Sequence, residues 1–337
     1  MTKTGSKVAV IGAGSWGTAL AIHLARAGCS VGLWAREPEV VAGVRNTRRN
    51  PLFLSEFELP VAIEVGDDLG AACRDAETVL FAVPVQFSRS VLRELRDGFS
   101  AGATFVSASK GVELASLQRM DEIVAHELAL PEQRFVALSG PSFAREVAQG
   151  LPSAAVLAGK DAERVADVQR RFSTPGFRFY GSDDIVGVEL AGALKNVIAI
   201  AAGIATGLGL GHNALAALMT RGLHEIARLG VRLGGHEETF RGLAGMGDLV
   251  LTCTGALSRN RSVGERLGRG ERLADVLSGR EVAEGVPTAR AAAELARRHD
   301  VEMPVIAAVE AMLDGRMTPR EAVVALMTRE LKREAAL

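Results

Sequence analysis

KVAVIGAGSWGTALAIHLARAG, residues 7–28, decides the fold. The β-type run Lys7–Ile11 leads straight into Gly12-Ala13-Gly14-Ser15-Trp16-Gly17, and the helical pattern Trp16–Ala27 follows, closed by Gly28. A G-x-G-x-x-G run is weak evidence by itself. Between a strand and a helix it reads as a dinucleotide-binding turn: Gly12 permits the tight turn, Gly14 lets the backbone approach a pyrophosphate, and Gly17 lets helix and strand pack closely. The helix N-terminus then offers N–H groups and partial positive charge to the phosphates.

Working outward, short apolar runs alternate with helical patterns, the signature of a parallel sheet covered by helices. Strands are predicted at Val31–Trp34, Thr78–Val83, Thr104–Ser107, Phe135–Leu138, Ala154–Ala158 and Phe177–Tyr180. Helices are predicted at Phe87–Arg96, Leu117–Leu128 and Ala162–Phe172, with Asp161 capping the last. After about Asp184 the β signal stops, and Ala/Leu/Arg-rich helical spacing takes over. The expected fold is α/β: a Rossmann-like doubly wound sheet over residues 1–183, then an all-α domain over residues 184–337. With no flexible linker between them, the two are expected to pack closely around a cleft.

The strand after the glycine turn bears on the choice of dinucleotide. An acidic residue at its end usually holds the ribose 2′-OH of NAD. Here Val31-Gly32-Leu33-Trp34 is followed by Ala35-Arg36-Glu37. Arg36 can pair with a 2′-phosphate or stand as a solvated surface arginine, and Glu37 keeps NAD open. NADP(H) is expected to be preferred, with NAD(H) accepted.

Four polar clusters carry chemistry. Ser107-Ala108-Ser109-Lys110-Gly111 follows a strand, placing Lys110 near the switch point of the sheet or on its surface. Ser139-Gly140-Pro141-Ser142 opens a helix, either to hold a ligand or as a plain helix entry. Lys195-Asn196 sits in an apolar helical run, where an unpaired ammonium must find a partner, lose its proton, serve a ligand or snorkel. Asp248 lies beside glycines, as a ligand group or a helix cap, and Ser258-Arg259-Asn260-Arg261 follows. A carboxylate with a guanidinium cluster suits a hydroxylated phosphate ester, since Arg grips phosphate in bidentate fashion. Arg261 is read as a surface residue.

Composition narrows the class. The 337 residues suit two domains; 48% are hydrophobic and 23% charged, a globular profile. A net charge of -1 argues against a nucleic-acid partner. Cys29, Cys73 and Cys253 are far apart, so neither disulfide framework nor zinc site is expected, and a reducing compartment fits. Too few apolar residues precede Gly12 for a secretory signal. Leu190–Leu210 is apolar enough to suggest a membrane span, yet Lys195-Asn196 and several glycines interrupt it, so a buried helix is expected.

Taken together, Ile11–Ala21, Ala108–Glu113, Leu138–Val147, Glu189–Gly203, Gly245–Arg261 and Val282–Val286 resemble the bacterial-type NAD(P)-dependent glycerol-3-phosphate dehydrogenases. The most specific segments are GALKNVIAI (192–200) and GDLVLTCTGALSRN (247–260). The resemblance implies a cytoplasmic oxidoreductase that reduces dihydroxyacetone phosphate to sn-glycerol 3-phosphate for phospholipid synthesis, with no metal. It implies that Ser15, Trp16, Arg36, Ala144, Val282 and Glu284 touch the cofactor, with Phe87 beside the nicotinamide as a weaker match. Lys110 is implied between cofactor and substrate. Gly140, Ser142, Asp248, Ser258, Arg259 and Asn260 are implied in substrate binding, with Arg259 also near the cofactor, and Lys195 as the proton-transfer residue. Asn196 and Asp248 are expected to orient Lys195. A homodimer is expected from the apolar helical half. The rivals are a β-hydroxy-acid dehydrogenase, which would lack the Ser258-Arg259-Asn260 cluster, and a non-catalytic nucleotide sensor, which would have no use for Lys110, Lys195 and Asp248.

Overall fold

The computed structural model describes residues 6–100, 102–279, 283–331 and 333–334; Val282 lies outside the described residues. The chain divides into two compact units. One comprises Met1–Ser109 and Met120–Ile185, the other Lys110–Arg119 and Val186–Leu337. The Lys110–Arg119 excursion is absent from a division at residue 183, because its only hydrophobic anchors, Val112 and Leu117, bury in the second core.

In the first unit, eight strands among the described residues form one sheet: β1 (Lys7–Ile11), β2 (Ser30–Trp34), β3 (Ile63–Gly66), β4 (Thr78–Phe81), β5 (Thr104–Ser107), β6 (Phe135–Ser139), β7 (Ser153–Ala158) and β8 (Phe177–Ser182). Their order is β3-β2-β1-β4-β5-β6-β7-β8. Neighbours are parallel except β6 and β7, which run antiparallel through the short Ala144–Gln149 helix that turns the chain back. Strand order reverses beside β1, so the switch point lies between β1 and β4. The loop after β5 stands one strand further along, its Ser109 hydroxyl donating to the Val83 carbonyl beyond β4 at 2.6 Å.

Of the strands predicted from apolar runs, β1, β2, β4, β5 and β6 are buried on both faces; Val8 to Ile11 are fully buried. β3 escaped prediction because Ile-Glu-Val-Gly is an edge strand with only Ile63 buried. The Pro38–Thr47 and Leu69–Cys73 helices were also not predicted. Asp161 caps Ala162–Phe172 as expected, accepting from the Glu163 and Arg164 N–H groups at 3.1 Å each. The helix predicted from Leu117 begins only at Met120, because Leu117 adopts a left-handed φ of 62°.

The second unit is helical among its described residues. Its axis is the Ile185–Gly207 helix, in which Glu189 and Lys195 are the only charged residues, with 89% of its most apolar 18-residue window buried. The Arg259–Gly268 helix crosses it so closely that a Cβ on Gly264 would stand 2.0 Å from the Ile200 carbonyl oxygen, and one on Gly203 would stand 2.0 Å from that of Arg261. Glycines that interrupt the apolar run in sequence therefore make the helix crossing. Gly264→Ala is expected to destabilise the protein by about 1–3 kcal/mol through overpacking. A chemical-denaturation midpoint unchanged from wild type would contradict that.

Candidate active site

Lys195 lies midway along the axial helix, with its side chain buried. Its ammonium donates to Asp248 Oδ1 at 2.5 Å and to Thr252 Oγ1 at 2.8 Å. The Thr252 hydroxyl in turn donates to the Asp248 carbonyl at 2.6 Å. Asp248 and Thr252 are one turn apart on the Asp248–Thr254 helix, so both face the amine. Lys110 supplies a second cation, donating to Asp248 Oδ2 at 2.6 Å. One carboxylate, 1% exposed, thus bridges two ammonium groups.

A π turn, Leu243–Gly247, places Asp248. Gly245 is indispensable to that turn, since a Cβ there would stand 2.1 Å from the Phe240 carbonyl oxygen. Burial pushes the Lys195 amine down to about 8; Asp248 pulls the other way, and Lys110 adds to the drop. Burial would raise the Asp248 carboxyl, but the two lysines outweigh it and hold it below the usual carboxylate range. Lys195 is therefore an amine able to give or take a proton near neutrality, fixed by two oxygen acceptors.

A second network starts from the next residue of the axial helix, Asn196. Asn196 does not bond Lys195: its Oδ1 accepts from Asn260 Nδ2 at 2.9 Å, and Asn260 Oδ1 accepts from the Gly285 N–H at 3.0 Å. The expectation that Asn196 orients Lys195 is thus corrected, because residues adjacent in a helix point in different directions. Thr252, missed in the sequence, takes that place. The signal for it was the i, i+4 spacing from Asp248. Ser258 accepts from the Arg261 N–H at 3.3 Å and caps the Arg259–Gly268 helix, leaving Arg259 exposed at its start. Arg261 is half-buried, with Glu265 at 3.2 Å. Glu284 immediately precedes the Gly285–Arg298 helix.

In the first unit, the three glycines of the turn differ in what they do. A Cβ on Gly17 would stand 1.8 Å from the Gly12 carbonyl oxygen, and Gly12, at φ +107°, abuts Ala82. A Cβ on Gly14 would meet nothing within 4 Å. Packing therefore accounts for Gly12 and Gly17, whereas Gly14 faces open space, as a ligand approaching the backbone requires. The Ser15–Arg26 helix opens there with no side-chain cap and no acidic residue in its first turn. The buried Trp16 indole N–H meets no acceptor. These features fit a dinucleotide pyrophosphate. Arg36 is 71% exposed with Glu37 at 3.4 Å, and Phe87 is half-exposed beyond β4. Gly140 has a packing reason of its own: φ is +147°, and a Cβ would stand 2.7 Å from Ala155 Cα. Ser142 donates to the Gly140 carbonyl at 3.0 Å, and Ala144 begins the next short helix.

The sheet order and the glycine turn are those of a dinucleotide-binding dehydrogenase, and the helical unit adds an amine poised for proton exchange. Comparison with known proteins narrows that class. Family models described as NAD-dependent glycerol-3-phosphate dehydrogenase N-terminus and C-terminus match residues 7–165 and 184–324. The chain is 54% identical to a glycerol-3-phosphate dehydrogenase [NAD(P)+] of Geobacter sulfurreducens, covering 97% of this chain and 98% of the relative. It is 53% identical to that of Geobacter metallireducens over 98% and 99%. A crystal structure of glycerol-3-phosphate dehydrogenase from Coxiella burnetii superposes with a TM-score of 0.92 at 39% identity, covering 96% of this chain and 99% of that one. The chain belongs to the NAD-dependent glycerol-3-phosphate dehydrogenase family.

Proposed function

We propose that this enzyme reversibly reduces dihydroxyacetone phosphate to sn-glycerol 3-phosphate with NADPH or NADH, and that Lys195 exchanges the proton at the C2 oxygen. The observation that carries the reading is the buried Lys195 amine fixed by Asp248 and Thr252. The bound dinucleotide supplies hydride to C2. In reduction, protonated Lys195 gives its proton to the oxygen as negative charge gathers there; in oxidation, neutral Lys195 takes it from the hydroxyl. Lys110, already held by Asp248, adds positive charge for that oxygen. Asp248 aligns both amines. Arg259 and the capped start of its helix, Ser258 and Asn260 included, hold the phosphate. Gly140 and Ser142 complete the substrate contacts. On the cofactor side, Gly12, Gly14, Ser15, Trp16 and Gly17 seat the pyrophosphate, while Ala144 and Glu284 make further contacts.

NADPH absorbance followed with dihydroxyacetone phosphate tests the reading, with a β-keto acid run in parallel. Consumption with the phosphate ester alone is expected. Consumption with the keto acid alone would make it a hydroxy-acid dehydrogenase, and dinucleotide binding without turnover would make it a sensor.

Arg36 is taken to read the 2′-phosphate, its exposed guanidinium being only loosely engaged by Glu37. Arg36→Ala is expected to raise KM for NADPH by about tenfold, the scale of one lost charge-assisted contact, and to leave NADH nearly unchanged. Equal losses for both would contradict that role. The same reading takes the enzyme as cytosolic, in keeping with its buried free thiols, and as a supplier of phospholipid backbone. It also takes it as a homodimer, supported by exposed Val324 and Met327 on the Pro319–Met327 helix; sedimentation of the purified chain measures the last.

A further inference from the structure

We propose that Asn50 is a positioning residue for dinucleotide binding, holding the Ala13 carbonyl and the Thr18 hydroxyl so that the glycine turn is set before the cofactor arrives. The proposal rests on the reading that this turn seats the pyrophosphate.

Asn50 lies outside every motif that the sequence marks for chemistry, yet it is fully buried beside that turn. Its Nδ2 donates to the Ala13 carbonyl at 2.9 Å and to Thr18 Oγ1 at 2.9 Å. Its Oδ1 accepts from the Leu52 and Phe53 N–H groups at 3.1 Å each. Only one orientation of the amide satisfies two N–H groups on one side and a carbonyl on the other, so its sense is fixed by chemistry. Thr18 completes the triangle, its hydroxyl donating to the Ala13 carbonyl at 3.1 Å and its N–H to the Gly14 carbonyl at 2.9 Å.

The consequence follows from the planarity of the peptide. A carbonyl of Ala13 held toward Asn50 turns the N–H of Gly14, across the same trans peptide, the opposite way. Gly14 is the turn residue whose missing Cβ faces open space. Asn50 itself stands on a firm base. The neighbouring Arg48 guanidinium donates to the carbonyls of Leu59 at 3.2 Å and Ile63 at 3.1 Å, and Glu56 pairs with Arg145 at 2.8 Å. The side chain thus transfers the rigidity of its own loop to the glycine turn.

Two pairs of variants test this. Asn50→Asp keeps the acceptor for Leu52 and Phe53 but sets a carboxylate against the Ala13 carbonyl, whereas Asn50→Ala removes both functions. Thr18→Val removes the bridging hydroxyl and Thr18→Ser keeps it. NADPH and NADH affinity are measured by fluorescence titration of each whole variant, alongside steady-state kinetics and thermal melting. Asn50→Asp, Asn50→Ala and Thr18→Val are expected to raise both dissociation constants by about tenfold, the scale of losing a buried hydrogen bond. At saturating cofactor, kcat should stay within about threefold and KM for dihydroxyacetone phosphate should not move. Thr18→Ser should restore wild-type affinity. Should the Asn50 variants fail to fold, the Thr18 pair decides. Folded variants that bind both dinucleotides as wild type does, or that lose kcat and phosphate-ester affinity in step with cofactor affinity, would overturn the proposal. A wild-type protein that binds no dinucleotide would overturn the reading of the turn, and this proposal with it.

Discussion

Replacing Lys195 by alanine lowers kcat by about 100-fold or more, the scale of general acid–base catalysis, while dinucleotide affinity stays at its wild-type value. The reason is local. The amine is the buried proton donor that Asp248 and Thr252 hold at 2.5 and 2.8 Å, and alanine leaves both acceptors in place without it. Because the equilibrium constant belongs to the reactants, the loss must appear in oxidation as well as reduction. Near-wild-type turnover would remove Lys195 from the chemistry.

Asp248→Asn is expected to cost about as much, through a different route. The carboxylate neutralises two ammonium groups at 2.5 and 2.6 Å, and an amide of the same shape leaves them facing one another in a buried site. Removing one partner of a buried pair costs about 3–5 kcal/mol, because uncompensated charge remains. The site relieves this by shedding a proton. The amine pKa, already lowered to about 8 by burial and raised against that by Asp248, then falls further. Reduction should lose about 100-fold or more at neutral pH, and its pH dependence should move to lower pH. A variant with wild-type rates and an unmoved pH profile would mean that the carboxylate neither aligns nor charges the lysine. Circular dichroism and a melting curve separate this from unfolding.

Much of this arrangement was legible in the chain. A strand running into Gly12 and a helix beginning near Trp16 announced the dinucleotide turn, because the spacing of the glycines is itself the steric requirement. Lys195 stood out because an ammonium in an apolar helix has few ways to exist. What escaped was three-dimensional pairing. Lys195 meets Asp248 across 53 residues and Lys110 meets it across 138, distances that no local pattern encodes. Asn196 was paired with its sequence neighbour on adjacency, although helical geometry turns it away, toward Asn260. The grouping of Lys110 with the helical unit was likewise hidden, since a ten-residue excursion has no periodicity to read. Asn50 escaped because a buried amide that satisfies its own bonds looks, in sequence, like any polar loop residue.

The pH dependence of kcat/KM in both directions tests proton exchange at Lys195 most directly, since kcat/KM reports the free enzyme. With the amine lowered to about 8, kcat/KM for reduction should fall above that value as Lys195 loses its proton. For oxidation it should rise with pH and level off beyond the same inflection. Two profiles that are flat there, or that rise together through it, would contradict the account.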